Sequence, residues 1–202
     1  MSATKSSGGE TAFDSLYHEL RTYPTPLLPP GTAYNKSKGN EISDLLVHPT
    51  LEAALHLLNH DLPSAHFLAR HMQAAPKYEG MYLHGILHRI EGDYDNARAW
   101  YGDVASSDVF KSVWGGDDGL EKAKGFIQRI QDFKSGKKDE SVKQELEKQS
   151  QEEIEKVVEY CKEKFGTGRY DDASDAWKQP TEGKVKDIKD DMLMGDKGFR
   201  KF

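Results

Sequence analysis

Two histidines, His84 and His88, lie four residues apart in the stretch LHGILHRIEGDYDNARAWY, residues 83–101. In a helix this spacing places both imidazoles on one face, where together they can bind one metal ion. A transition metal such as zinc would need a third nitrogen or a carboxylate from an adjacent helix, and its fourth coordination position could stay open. The zincin motif is absent, because the residue after His84 is Gly85 instead of glutamate.

An internal repeat indicates which residues could complete this site. An offset of 32 residues aligns Glu52 and His56 in one helical hairpin with His84 and His88 in the next. First helices of successive repeats pack side by side, so we expect these four side chains to lie near one another. Further candidates, as a fourth ligand or as groups that orient a ligand, are His66 and Glu91.

Two interpretations without a metal stay open. Partly buried imidazoles can be hydrogen-bonded to a carboxylate, a tyrosine or a backbone carbonyl, in which case the histidines form a packing network. In the other interpretation the rings are exposed to solvent. Converging nitrogens of His84 and His88 beneath a pocket would favour metal chemistry, whereas isolated rings paired with carbonyls would favour a scaffold.

Other chemical motifs are absent or have a structural interpretation. The chain has no phosphate-binding Gly-Lys-Ser/Thr loop, no dinucleotide fingerprint and no Gly-x-Ser-x-Gly elbow. The acidic run 115–119 lacks the spacing of a calcium loop and indicates a flexible turn. Cys161, the one cysteine, is predicted to lie in the core. Arg89, beside Glu91 and Asp93, predicts a local ion-pair network at the surface.

Apolar residues at helical spacing predict an all-α fold, and no segment alternates long enough to indicate a strand. The hairpins would comprise four helices. Three begin after Thr50, Asp61 and Asp93, each of which is a suitable N-cap, and the fourth spans residues 78–91. A long charged helix is predicted from about residue 140 to 165, with one apolar face.

The polar ends of the chain suggest three regions. Residues 1–41 are expected to be a disordered or extended arm with a possible short helix within residues 13–23. Residues 42–166 are expected to form the helical domain. Residues 167–202 are expected to be a mostly disordered tail with a short helical segment around residues 192–194.

Charge and composition exclude some classes of partner. The net charge is −6 and the pI is about 5.8, without the basic stripe that nucleic acid requires, so a nucleic-acid partner is not expected. No run approaches the roughly 18 apolar residues of a membrane span, and the first residues lack the apolar run of a signal peptide. We therefore expect a cytoplasmic protein.

Residues 78–105 resemble a tetratricopeptide repeat. They combine a small residue in the first helix (Gly85), a Gly-Asp-Tyr turn, a small residue in the second helix (Ala97) and an aromatic residue four positions later (Tyr101). The resemblance implies antiparallel helical hairpins that cross closely at Gly85 and Ala97. It also implies a surface that holds a protein or peptide partner.

A longer region, roughly residues 50–165, is similar to a family of small bacterial and fungal proteins without an established activity. The resemblance rests on the order of the segments NHDLPSAH, YLHGILHRIEGDYDNARAWY and QSQEEIEKVVEYCKE. It implies a recurring pattern at His66, His84, His88, Arg89, Glu91, Asn96 and Trp100.

The sequence as a whole favours a non-catalytic, helical-repeat-like module that binds a protein or peptide. The alternative is a small metal-binding protein or metal-dependent enzyme that uses the histidine cluster. The sequence decides neither whether the protein is an enzyme nor its oligomeric state.

Overall fold

The computed structural model describes residues 11–136 and 139–177, and within these residues it contains α-helices and no strands. The predicted all-α fold class is confirmed. The helices in chain order are α1 (Ala12–Leu20), α2 (Lys38–Asp44), α3 (Pro49–Leu58), α4 (Leu62–His71), α5 (Tyr78–Glu91), α6 (Tyr94–Val104), α7 (Asp108–Trp114), α8 (Gly119–Ser135) and α9 (Glu140–Phe165). None of these helices is both long enough and apolar enough to cross a membrane.

Two helix pairs, α3 with α4 and α5 with α6, form the middle of the molecule, and α4 also packs against α5. The N-caps predicted for the second helix of each pair are confirmed. The carboxylate of Asp61 accepts a hydrogen bond from the backbone N–H of Ser64 at 3.3 Å, and that of Asp93 accepts one from Asn96 at 3.4 Å. The turn between α5 and α6 passes through Gly92, whose φ of +85° favours glycine.

The close crossing of α5 and α6 depends on Gly85. A Cβ atom at this position would lie 2.9 Å from Cδ1 of Tyr101 and 3.0 Å from Cβ of Trp100, which is closer than carbon atoms normally approach. Ala97 on α6 is fully buried. The small residues at positions 85 and 97 therefore allow the contact that the sequence predicted.

α9 closes the core by packing on α3, α7 and α8. The predicted apolar face is buried along most of its length, and Cys161 lies in the core as predicted, whereas Val142 near the start of the helix is 38% exposed. The buried apolar residues of α9 are Leu146, Ile154, Val157, Val158 and Cys161.

Arg89 does not belong to a surface network with Glu91 and Asp93, and that prediction was wrong. Its side chain is fully buried and its Nη2 lies 2.9 Å from Oε2 of Glu153 on α9, which is also buried. The apolar environment explains the pairing, because a buried guanidinium requires a counter-charge within hydrogen-bonding distance.

The Arg89–Glu153 ion pair lies at the centre of a hydrogen-bonded network. The hydroxyls of Tyr82 and Tyr101 donate to Oε1 of Glu153 at 2.9 and 2.6 Å, and Arg89 also donates to the hydroxyl of Ser150 at 3.0 Å. Three helices, α5, α6 and α9, are therefore held together by polar contacts inside an apolar core.

The N-cap of α3 is His48, not Thr50 as the sequence predicted. Nδ1 of His48 accepts a hydrogen bond from the backbone N–H of Thr50 at 3.2 Å. The ring also stacks on Phe165, the last residue of α9, with ring centroids 3.6 Å apart. Burial lowers the pKa of His48 to about 4, so the ring is neutral and Nδ1 can accept.

The segments outside the predicted helical domain also contact it. α1 is the short helix considered in the N-terminal arm, and it buries Phe13, Leu16, Tyr17 and Leu20 in the core. After α9, the backbone N–H of Tyr170 donates to the carbonyl of Leu46 at 2.6 Å. Residues 1–10, 137–138 and 178–202 lie outside the described part of the chain, and with them the segment around residues 192–194.

Candidate metal site

Three of the candidate histidines converge at the contact between the two helix pairs. His66 comes from α4, and His84 and His88 come from α5. One nitrogen of each ring lies within 4.8 Å of one nitrogen of the other two. The centroids of the His66 ring and the other two rings are 4.7 and 5.0 Å apart. The three rings therefore converge and are not isolated from one another.

Helix spacing brings the two rings of α5 together. His84 and His88 lie one turn apart on α5, and the centroids of their rings are 4.7 Å apart. Ala69, which follows His66 by three residues on the same face of α4, is small and fully buried, and so is the preceding residue, Ala65. Small side chains at these positions are consistent with the close packing of α4 on α5 that brings the imidazoles together.

His66 is oriented by Glu91. Its Nδ1 lies 3.0 Å from Oε1 of Glu91. Although burial raises the pKa of Glu91, the hydrogen bond and the charge of His66 outweigh that effect and keep the pKa below its ordinary value. An ionised carboxylate can only accept, so Nδ1 of His66 carries a proton, and in the neutral imidazole the lone pair is then on Nε2. This Nε2 is buried and has no hydrogen-bond partner among the described residues.

His84 presents a second unpaired nitrogen. Its Nδ1 is buried and likewise lacks a hydrogen-bond partner within the described ranges. Burial, with a smaller electrostatic contribution from His66 and His88, lowers the pKa of His84 to about 3. The imidazole is therefore neutral, the form that binds metal ions. The Trp100 ring packs on it with centroids 4.7 Å apart.

His88 lies at the solvent side of the cluster and is half-buried. Its pKa is lowered, chiefly by burial. Nε2 of His88 lies 3.2 Å from the side-chain nitrogen of Asn96, and Nδ1 lies 3.6 Å from Oδ2 of Asp93. Both nitrogens of His88 have polar neighbours, whereas His66 and His84 each present one unpaired nitrogen, so a metal ion bound by His88 would replace one of these neighbours.

The structure does not bring Glu52 and His56 into this group. His56 is fully buried, with Nδ1 3.1 Å from Oδ2 of Asp61 and Nε2 3.7 Å from Oε1 of Glu52. In the repeat alignment, His56 of the first hairpin corresponds to His88 of the second. However, the helix that meets the histidine face of α5 is α4, which carries His66, and the two side chains from α3 lie in a separate group with Asp61.

Spacing along the chain did not reveal the roles of four residues at or near the site. Asp61 was predicted only as an N-cap, but it also pairs with His56. Asn96, Asp93 and Trp100 lie against the rings of the cluster. Asn96 and Trp100 appear in the longer family resemblance, and that resemblance was the one signal in the sequence that could have indicated them.

The resulting arrangement can hold one metal ion with three imidazole nitrogens. A set of three nitrogen ligands suits zinc and the neighbouring divalent transition metals. The carboxylate of Glu91 would orient one ligand through its second nitrogen, as is usual in such sites. Comparisons of this chain with known protein families, with curated proteins and with solved structures give no match.

Proposed function

We propose that the protein binds one transition-metal ion, of the zinc class, through His66, His84 and His88. The observation that carries the proposal is the pair of buried nitrogens without hydrogen-bond partners, Nε2 of His66 and Nδ1 of His84. Leaving such a group unpaired costs about 1–3 kcal/mol, and a bound metal ion would offset this cost.

The protonation states support the same function. Metal ions bind the neutral form of imidazole, and burial favours that form at His84 and His88. At His66 the hydrogen bond from Nδ1 to Glu91 places the lone pair of the neutral imidazole on Nε2. The protein would thus bind the metal without first releasing a proton from these two α5 rings.

Metal content tests this function. The full chain, purified without an affinity tag, is expected to contain or take up about one zinc ion per chain by elemental analysis and calorimetric titration. The double variant His84→Ala/His88→Ala and the single variant His66→Ala are expected to lose this binding. The matched control is His18→Ala, because His18 is exposed on α1 and lies outside the cluster.

The opposite results are equally clear. Equal metal content in the wild type and in the double variant would contradict the proposal, as would a titration of the wild type without saturable binding. Since a metal that binds the native state raises its stability, removal of the metal by a chelator is also expected to lower the Tm of the wild type and not that of the double variant.

A second candidate function is the tetratricopeptide-like module that binds a protein or peptide. The equivalent N-caps of α4 and α6 and the close crossing at Gly85 support two repeat-like hairpins. The first helices of both pairs, α3 and α5, are mostly buried, so they offer little open surface. A partner would instead fit the groove between α7 and α9.

That groove has a volume of about 380 Å³, and its charged side chains are mostly carboxylates. It is lined by Ser112, Glu152, Glu155, Lys156, Glu159, Tyr160 and Glu163. Such a surface suits a lysine- or arginine-rich segment. An array of basic peptides is the probe, and the double variant Glu159→Lys/Glu163→Lys is expected to lose binding while its metal content is unchanged. Equal peptide binding by the wild type and this variant would contradict the module.

A further inference from the structure

We infer that the metal ion has one exchangeable coordination position. This position lies beside Arg70, is open to solvent, and takes water or a small monodentate anion. Glu91 is then a positioning residue and not a ligand. This inference rests on the proposed metal-binding function. It adds to that function the class of small molecule that the site would accept.

The position of Glu91 explains why one coordination position stays open. Its Oε1 is hydrogen-bonded to Nδ1 of His66 at 3.0 Å, whereas the unpaired nitrogen of that ring is Nε2. The two nitrogens lie on different sides of the imidazole, so the oxygen that accepts from Nδ1 of His66 does not reach an ion bound to Nε2 of that ring. The other oxygen, Oε2, lies 3.7 Å from Nδ1 of His88. The three histidines are then the protein ligands, and zinc-class ions usually take a fourth.

Exposure shows where that fourth ligand would enter. His84 and His66 are 4% and 7% exposed. The side chains of His88, Glu91 and Asp93 are 14%, 36% and 54% exposed. The cluster is therefore closed on the side of His84 and His66 and open toward the C-terminal end of α5, where water has access.

Charge favours an anion at this opening. Arg70 follows His66 by one turn of α4 and is exposed. It lies on the same face of α4 as His66 and within electrostatic range of His84, His88 and Glu91. The two carboxylates of Glu91 and Asp93 balance the two positive charges of a divalent ion. The charge of Arg70 is then in excess, so the site carries one net positive charge.

Azide is a suitable probe of the exchangeable position. It is a small monoanion, and its binding is a ligand exchange in which one metal–nitrogen bond forms as one metal–water bond breaks. No electron is transferred in this exchange. Cobalt(II) replaces zinc in the experiment because its visible absorption depends on the number and kind of its ligands.

The experiment titrates azide into the cobalt-loaded full chain, with sodium chloride at the same ionic strength as the control. We expect a saturable change in the visible spectrum of the wild type. Arg70→Gln is expected to weaken azide binding without weakening cobalt binding. Glu91→Gln is expected to lower cobalt affinity by roughly 10–100-fold, yet to keep the azide response once loaded.

Three results would overturn the inference, and they are distinguishable. If cobalt binds with no azide response, a protein group occupies the fourth position. If the cobalt spectrum of Glu91→Gln shows a changed ligand set and its azide response is lost, Glu91 is a ligand. If the wild type does not bind cobalt or zinc at all, the proposed function itself is wrong, and this inference with it.

Discussion

Replacement of Glu153 by alanine is the change to which the fold should be most sensitive. The substitution removes the carboxylate but leaves the Arg89 guanidinium fully buried, with its remaining contacts to Tyr101 and Ser150. It also removes the acceptor of the Tyr82 and Tyr101 hydroxyls. The variant therefore keeps an uncompensated positive charge inside the core.

The expected cost follows from this loss. Breaking a buried ion pair by removing one partner typically costs about 3–5 kcal/mol, because the remaining charge keeps its desolvation penalty. The orphaned tyrosine hydroxyls place the value toward the upper end of that range. A domain of this size is stable by about 5–15 kcal/mol, so the variant would lose a large part of its total stability.

Urea denaturation followed by far-UV circular dichroism measures this difference. The matched control is Glu145→Ala, on the same helix, since Glu145 pairs with Arg129 at the surface and its loss should cost at most about 1 kcal/mol. Should Glu153→Ala fail to fold, Glu153→Gln keeps the side-chain volume and is expected to show a smaller loss in the same direction.

The double variant Arg89→Met/Glu153→Leu tests the cause. Because it removes both charges and fills the space with apolar atoms, we expect it to be more stable than Glu153→Ala alone. The reasoning would be refuted if Glu153→Ala cost no more than Glu145→Ala. It would also be refuted if the double variant were as unstable as the sum of Arg89→Met and Glu153→Ala.

Three further predictions concern packing and titration. Gly85→Ala should destabilise the protein by about 1–3 kcal/mol in urea denaturation, because its Cβ would overlap Tyr101, whereas Gly102→Ala, with open space around it, should be neutral or stabilising. The pKa of His48 in the folded protein, about 4, lies below its ordinary value of 6.5, so the stability that it contributes is complete above pH 6.5 and is lost as the pH falls toward 4. This contribution is roughly 3 kcal/mol. As the pH falls, the stability of the wild type should therefore decrease more steeply than that of His48→Asn, a variant that keeps a capping side chain. Parallel curves for the two proteins would contradict the assignment. Cys161 is 1% exposed and burial raises its pKa, so a thiol reagent should label it only after denaturation, and rapid labelling of the native chain would show that α9 is not docked as described.

Local features of the fold could be predicted from the sequence because their causes are local. Asp61 and Asp93 cap the helices that follow them through contacts three residues away. Gly85 was recognised by the repeat pattern. By contrast, α7 was not predicted, since its seven residues are too few to show helical periodicity.

Features that depend on distant parts of the chain could not be predicted. The sequence offered Glu91 and Asp93 as neighbours of Arg89, but its partner Glu153 lies 64 residues away. Similarly, His48 rather than Thr50 caps α3 because its ring is held against Phe165 on α9. In both cases burial by a remote helix decides which polar contact forms.

The candidate site was predicted in part for the same reason. The spacing of His84 and His88 on one helix face is local, and it is present in the structure. The third histidine depends on which neighbouring helix meets that face, and only the packing of α4 on α5 selects His66 over His56.

The long separation between Arg89 and Glu153 also affects how the chain can fold during its synthesis. The carboxylate leaves the ribosome 64 residues after the guanidinium, a delay of roughly 3–13 s at about 5–20 residues per second. During that interval the earlier helices have no counter-charge for their central cation, so the guanidinium must stay hydrated and the core cannot close around it. We therefore expect the emergence of α9 to be the event that commits the nascent chain to its compact state.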